Sequence, residues 1–288
     1  MTLKTLIKQL TPPVVLSAVR SLRTRDEKPE WEYMPNGWQA ADTDPAIKGW
    51  QDQSIVESYA KRWASNQAYL DPSVPFGYSI ETDTDNLPIA AQISFHNIIM
   101  SFAYALNLAA VGKSSLRLLD WGGGLGHYAL IARALRPDLA IEYHLKELPI
   151  FEAKSQSLLP DSHFHSGDTW KHYAYDLILA SGAMHYQRDW QTAFAECATA
   201  TSAGGYFFLT RLPLVRRVPS FVMVQRPYRY GYNTEYLGWC LNHDEVIAQA
   251  TLYGLTRTRE FVIEEPPFIH NAPEQCLYWG FLFRKVVS

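Results

Sequence analysis

Asp120, Gly122, Gly124 and Gly126 occupy every second position of one short run, with Trp121, Gly123 and Leu125 between them. The apolar Leu116-Arg117-Leu118-Leu119 precedes the run and His127 opens a helical pattern after it, so the glycines sit where a strand turns into a helix. Glycine permits a tight turn and lets the backbone approach a ligand closely. In a sheet of parallel strands such a turn lies at the carboxyl edge, where ligands bind. A dinucleotide turn needs G-x-G-x-x-G, whose third glycine brings the helix N-terminus to a pyrophosphate. Here the spacing is G-x-G-x-G, and His127 stands where that third glycine belongs. Asp120 would repel a pyrophosphate, but it suits the ammonium of a methionyl group. The turn is therefore expected to hold S-adenosyl-L-methionine through Asp120, Gly122, Gly123, Gly124 and Gly126.

Further signals follow in the order such a site requires. Glu147 ends the next strand, where a carboxylate can accept both ribose hydroxyls, and Leu148 follows it. Gly167-Asp168 closes a third strand within reach of an adenine amine, and Ser181-Gly182 closes a fourth beside the expected reactive methyl. His185 is the candidate base for an oxygen acceptor, because a neutral imidazole is available near pH 7. The other reading of His185 is a cap for the helix that starts at Asp189. No CxxC pair or comparable ligand spacing is present among Cys197, Cys240 and Cys276, and no metal is expected.

The elements that must position these residues alternate. Strands are predicted at 116–121, 140–145, 163–165, 176–180 and 206–209. Helices are predicted at 127–136, 150–159, 189–201 and 242–254, and two strands with no helix between them follow at 255–264 and 276–284. Alternation of this kind means a mostly parallel α/β sheet, here a doubly wound Rossmann-like sheet of seven strands with an antiparallel C-terminal pair. Ahead of it, Ser54 and Glu57 have capping-box spacing for a helix reaching Leu70. A second, apolar helix is expected from about Asn86 to Ala110, with His96 as a core histidine. Three regions result: a basic N-terminal helical extension at 1–30, an aromatic helical cap at 31–112, and the cofactor domain at 113–288.

The motifs resemble those of Rossmann-like methyltransferases over residues 113–288. Glu147-Leu148-Pro149, Gly167-Asp168 and Met184-His185 are similar to the D-L-P, G-D and L-H-D-W motifs of small-molecule O-methyltransferases, with Tyr186 where that group has Asp. The resemblance implies that His185 is the catalytic base. The aromatic N-terminal region, Asp120-Trp121-Gly122-Gly123-Gly124 and Thr210-Arg211-Leu212-Pro213 also resemble methyltransferases encoded in bacterial surface-polysaccharide gene clusters. That implies a small or sugar-containing acceptor.

The stretch 211–241 is long for a connection. It carries Arg211, Arg216, Arg217, Arg226 and Arg229 interleaved with Tyr228, Tyr230, Tyr232 and Trp239. Guanidinium forks match phosphate and carboxylate, so it is expected to be a lid over an anionic or glycosylated acceptor, with Arg211, Arg216 and Tyr228 touching it. A solvated basic loop is the other reading. The formal charge of -3 argues against a nucleic-acid partner. No apolar run is long enough to span a bilayer and no secretory signal is evident, so a cytoplasmic location is expected. Lys4, Lys8, Arg20, Arg23, Arg25 and Lys28 face only Asp26 and Glu27 near the N-terminus. That segment reads as an ordinary packed helix or as an amphipathic element at the inner-membrane surface. Two further functional readings stand beside methyl transfer: an inactive scaffold that keeps the fold, and a dehydrogenase, which the glycine spacing disfavours.

Overall fold

A computed structural model of the chain describes residues 28–67, 89–263 and 266–287, without the side chains of 64–67, 89–92 and 95. Residues Trp31–Ser288 form one compact unit and Met1–Glu30 a separate one. The basic helices expected before residue 28, the aromatic residues Tyr69, Phe76 and Tyr78, and the helix start at Asn86-Pro88 lie outside the described residues.

Among the described residues the sheet has ten strands, not seven. Its centre is the expected parallel run. Strands β2 (Ser115–Trp121), β3 (Ala140–Lys146), β4 (His163–His165), β5 (Tyr175–Ser181) and β6 (Thr201–Val215) lie in the order β4-β3-β2-β5-β6. The expected antiparallel pair is also present: β10 (Leu277–Lys285) lies against β6, and β9 (Leu255–Val262) lies against β10. The three additional strands come from segments expected to be loop or helix. β6 runs on to Val215, and β7 (Phe221–Gln225) and β8 (Tyr236–Asn242) form an antiparallel pair. β8 joins the end of β6 through Leu214–Leu241 and Val215–Asn242, and β1 (Trp31–Tyr33) caps the edge against β7. The lid expected at 211–241 is therefore largely an extension of the sheet. Phe221-Val222-Met223-Val224-Gln225 is buried along its whole length, so it lacks the apolar–polar alternation that marks a half-buried strand.

Alternation along the central strands sends side chains to two faces, and helices cover both. Leu118, Leu177, Leu179, Phe208 and Leu282 meet α2 (Ile89–Ala109) and α3 (His127–Leu135) through Phe102, Leu106, Tyr128 and Ile131. Leu119, Ile178, Phe207, Leu209, Phe281 and Phe283 meet α5 (Trp190–Ala200) and α6 (His243–Leu252) through Phe194, Cys197, Val246 and Ala250. Helix α1 (Gln53–Gln67) joins the first of these faces through Ile55, Val56 and Trp63, and α4 (Glu152–Leu158) follows β3. Helix α2 is not buried all round. His96 is exposed and not a core histidine, on the side of the helix that also exposes Ile93 and Met100. Among the described residues no helix is long and apolar enough to cross a membrane.

The starts of α1, α5 and α6 follow polar caps, with one correction. Asp52, not Ser54, caps α1, its Oδ1 accepting from Ser54 N at 3.1 Å and Ser54 Oγ at 2.5 Å. Asn242 caps α6 by accepting from the amides of Asp244 and Glu245. Asp189 caps α5, its Oδ1 accepting from Thr192 N at 3.1 Å. Asp189→Ala is expected to lower stability by about 1 kcal/mol and to leave ligand binding unchanged, which a thermal melt and a binding titration on the same preparation would check.

Candidate cofactor and acceptor site

The glycine turn closes over a buried acid. Asp120 has no exposed surface, and the Tyr143 hydroxyl donates to its Oδ2. Its Oδ1 has no partner. Burial raises the Asp120 pKa to about 7; the Tyr143 bond opposes this and the Glu147 charge adds to it. Gly123 leaves no room for a side chain, because an added Cβ would lie 2.2 Å from Asp120 Oδ2. Gly122 has φ 72°, and a Cβ there would lie 2.4 Å from that of Ala183. The end of β2 is thereby held against the loop that follows β5.

Glu147, just past the end of β3, binds the turn directly. Its Oε2 accepts from Gly124 N at 2.8 Å and its Oε1 from Leu148 N at 2.8 Å. Burial pushes its pKa up, and those two amides oppose the shift. Leu148 packs against the core cluster under α3. Gly126 is the N-cap of α3.

On the β5 side, Ser181 Oγ shares a hydrogen bond with Tyr128 OH at 2.9 Å. Gly182 N donates to Thr210 O at 2.9 Å, and a Cβ on Gly182 would lie 3.4 Å from the Arg211 guanidinium. His185 is 1% exposed, and neither ring nitrogen has a hydrogen-bond partner. Burial, then the charge of Arg211, pushes its pKa down to about 3. The helix-cap reading of His185 is not met, since Asp189 supplies the cap for α5. Arg211 has φ 57°, an uncommon conformation for a residue with a side chain. Its guanidinium lies beside Gly182, and its charge is felt at His185, His127 and Tyr59.

The structure therefore brings together Asp120, Gly122, Gly123, Gly124, Gly126, Glu147, Leu148, Ser181, Gly182, His185 and Arg211. It leaves four others apart. Gly167 is exposed, and Asp168 is turned to solvent, paired with Lys171 at 3.2 Å. Arg216 lies over the Trp279 ring at 5.2 Å. Tyr228 OH donates to Glu235 Oε1 at 2.7 Å, within a buried ion-pair group that joins Arg226 to Glu235 and Glu32.

Several site residues carry no motif and were not singled out from sequence. Tyr59 on α1 lies on the glycine turn, its Cε1 2.9 Å from where a Gly124 Cβ would be. Its ring stacks on Tyr232 and meets Phe151 edge-on, with Arg62 above it. Burial pushes the Tyr59 hydroxyl well above 10. It also pushes His127 down to about 4, with Arg211 and Arg62 adding to the shift. Trp50 stacks on Tyr236 and tilts onto Tyr186, extending the aromatic wall toward His185. The only sequence cue to Tyr59 is its placement on the apolar face of α1, which core residues share.

A methionyl cofactor fits these residues. Asp120 Oδ1 is a buried acceptor without a donor, and an ammonium supplies donors. Each Glu147 oxygen uses one acceptor position on a backbone amide, which leaves a second on each for a ribose hydroxyl.

No family model matches the chain, and no curated protein matches it. Solved structures are similar in chain path. The 1,6-didemethyltoxoflavin-N1-methyltransferase of Burkholderia thailandensis, solved with S-adenosylhomocysteine, shares 16% identity at a TM-score of 0.46, over 80% of this chain and 90% of that one. The magnesium protoporphyrin IX methyltransferase of Synechocystis, solved with S-adenosylmethionine, shares 12% identity at a TM-score of 0.49, over 83% of this chain and 99% of that one. An S-adenosylmethionine-dependent methyltransferase of Clostridium acetobutylicum shares 10% identity at a TM-score of 0.46, over 79% of this chain and 99% of that one.

Proposed function

We propose that the protein is an S-adenosyl-L-methionine-dependent methyltransferase acting on an oxygen of a small or sugar-containing acceptor, with an anionic group on that acceptor facing Arg211. The observation that carries the reading is the glycine turn tied through Gly124 N to Glu147 above the unsatisfied carboxylate oxygen of Asp120. When bound, the cofactor supplies an electrophilic methyl group on a sulfonium. The chain's own residues do the rest. Asp120 holds the methionyl ammonium, and Glu147 holds the ribose hydroxyls. Tyr59, Trp50 and Tyr186 exclude water from the mouth. His185, kept neutral by burial, accepts the proton of the acceptor hydroxyl, which supplies the donor its ring lacks. Alignment of acceptor and methyl contributes several kcal/mol, and a positioned base a further factor of about 10²–10⁴.

Residues 31–112 are read as the cap of this site and 113–288 as the cofactor domain. A role in surface-polysaccharide synthesis and a cytoplasmic location fit this reading, the latter with all three cysteines free and buried. The basic N-terminus is kept as a candidate contact with the inner-membrane surface.

The test is direct. Calorimetry on the purified chain is expected to show binding of S-adenosylhomocysteine and none of NAD; tight NAD binding alone would overturn the reading. Glu147→Ala removes the charge-assisted ribose contact, worth about 1.5–3 kcal/mol, and releases the glycine turn. Affinity for S-adenosylhomocysteine is expected to fall about 10- to 150-fold with the fold intact. An unchanged dissociation constant would place the ribose elsewhere.

A further inference from the structure

On the sheet face opposite Tyr143 and Leu145, the β3–β4 edge gathers a cluster that methyl transfer does not use. Parallel pairing sets His144 opposite His163, and Lys146 opposite His165. The two-residue period of a strand then puts Glu142, His144, His163 and His165 on one face. Glu142, His144 and His163 each offer one ligand atom, and these atoms all lie within 4.8 Å of one another.

The two inner groups are already aimed. His144 is fully buried, and its Nε2 lies 3.0 Å from Glu142 Oε1. Two ligands each about 2.0–2.1 Å from a tetrahedral ion stand roughly 3.3 Å apart, so this spacing accommodates a metal in place of the bridging proton. Each inner ligand is held from behind. Glu142 Oε2 accepts from Arg117 Nε at 2.9 Å, which leaves Oε1 forward and holds the carboxyl ionised, its pKa lowered to about 2. His144 Nδ1 meets His165 Nε2 at 2.8 Å, and His165 Nδ1 meets Thr169 Oγ1 at 2.8 Å. Outer hydrogen bonds of this kind fix the orientation of metal-bound imidazoles. Tyr173 and Tyr175 wall the His144 ring. His163 is exposed and closes the open side.

We propose that Glu142, His144 and His163 form a binding site for one divalent transition-metal ion of the zinc class, with His165 and Thr169 orienting His144. Two imidazoles and one carboxylate suit Zn²⁺ and Co²⁺ over Mg²⁺ and Ca²⁺, which take all-oxygen shells. Water fills the fourth position on the solvent side. Binding at Nε2 moves the His144 proton to Nδ1, where it donates to His165. His165 then carries its own proton on Nδ1 toward Thr169, and both rings stay neutral. An occupied site clamps the three-residue strand β4 to β3, just ahead of Glu147 and Gly167.

The test uses the full chain without a histidine tag, stripped of metal. Titration with Co²⁺ is expected to give a visible absorption band that saturates at one equivalent and is displaced by Zn²⁺, and Zn²⁺ should raise the melting temperature. His163→Ala and Glu142→Gln alter side chains with solvent access, and each is expected to weaken Zn²⁺ at least about tenfold. His270→Gln, at an exposed histidine outside the cluster, should bind as the parent does. A His163→Ala protein that binds as tightly as His270→Gln would overturn the proposal, as would a parent chain that takes up no stoichiometric Zn²⁺. S-adenosylhomocysteine binding, measured on the same samples, reads the cofactor site separately.

Discussion

His185→Ala is expected to lower turnover by about 10²–10⁴-fold while affinity for S-adenosylhomocysteine barely changes. The ring is enclosed, both its nitrogens lack partners, and its burial and the neighbouring Arg211 keep it neutral. Such a group gains a hydrogen bond only when an acceptor hydroxyl arrives, so its removal is felt in the chemistry and not in cofactor binding. Raising the pH should partly restore the variant, because the hydroxyl then ionises unaided. Asp189→Ala is the contrast: it removes the Thr192 N cap bond at the start of α5 and should leave the rate alone. Single-turnover rates and melting temperatures on one preparation separate the two. Near-normal turnover with normal stability in His185→Ala would remove the base and point to an acceptor that needs none.

The other large effect is expected at Gly122. Gly112 and Gly122 share φ 72°, but a Cβ at Gly112 meets nothing within 4 Å, whereas one at Gly122 lies 2.4 Å from Ala183 Cβ. Gly112→Ala therefore carries only the left-handed backbone cost, about 1–2 kcal/mol. Gly122→Ala adds an overlap between two backbone-anchored atoms, typically about 1–3 kcal/mol more. Gly122→Ala should also lose S-adenosylhomocysteine binding, while Gly112→Ala keeps it. Denaturant titration and calorimetry on the pair check this. Equal destabilisation, or intact binding in Gly122→Ala, would mean that the two loops move apart freely and that their contact does not shape the site.

The parallel centre of the sheet and its glycine turn were readable because local rules agree there: short apolar strands, caps, and glycines at alternate positions. Asp120 and Glu147 were named from their charge at the ends of strands and His185 from a motif resemblance, and the chain path brings all three to one sheet edge. The strand β7 was not readable, because a segment buried on both faces shows no period of two. The arginines of 211–241 suggested a lid over the acceptor or else a solvated loop. In the structure they divide: Arg211 enters the site, Arg226 is buried between Glu235 and Glu32, and Arg216 covers Trp279. Charge and spacing do not encode which partner each finds. Tyr59 and Arg62 were hidden for a related reason, since an aromatic residue on an apolar helix face reads as core whether or not a ligand turn lies above it. The histidine cluster was missed because its members come from two strands and meet only through their register.

The pairing of β1 with β7 has a consequence for how the protein is made. Met223–Gln225 leaves the ribosome roughly 190 residues after its partner Trp31–Tyr33, a delay of about 10–40 s at about 5–20 residues per second. Throughout that interval two large aromatic side chains, Trp31 and Tyr33, have no sheet to join. That edge is begun about 190 residues before β7 is available to pair with it, an interval in which the nascent chain needs its apolar side chains covered.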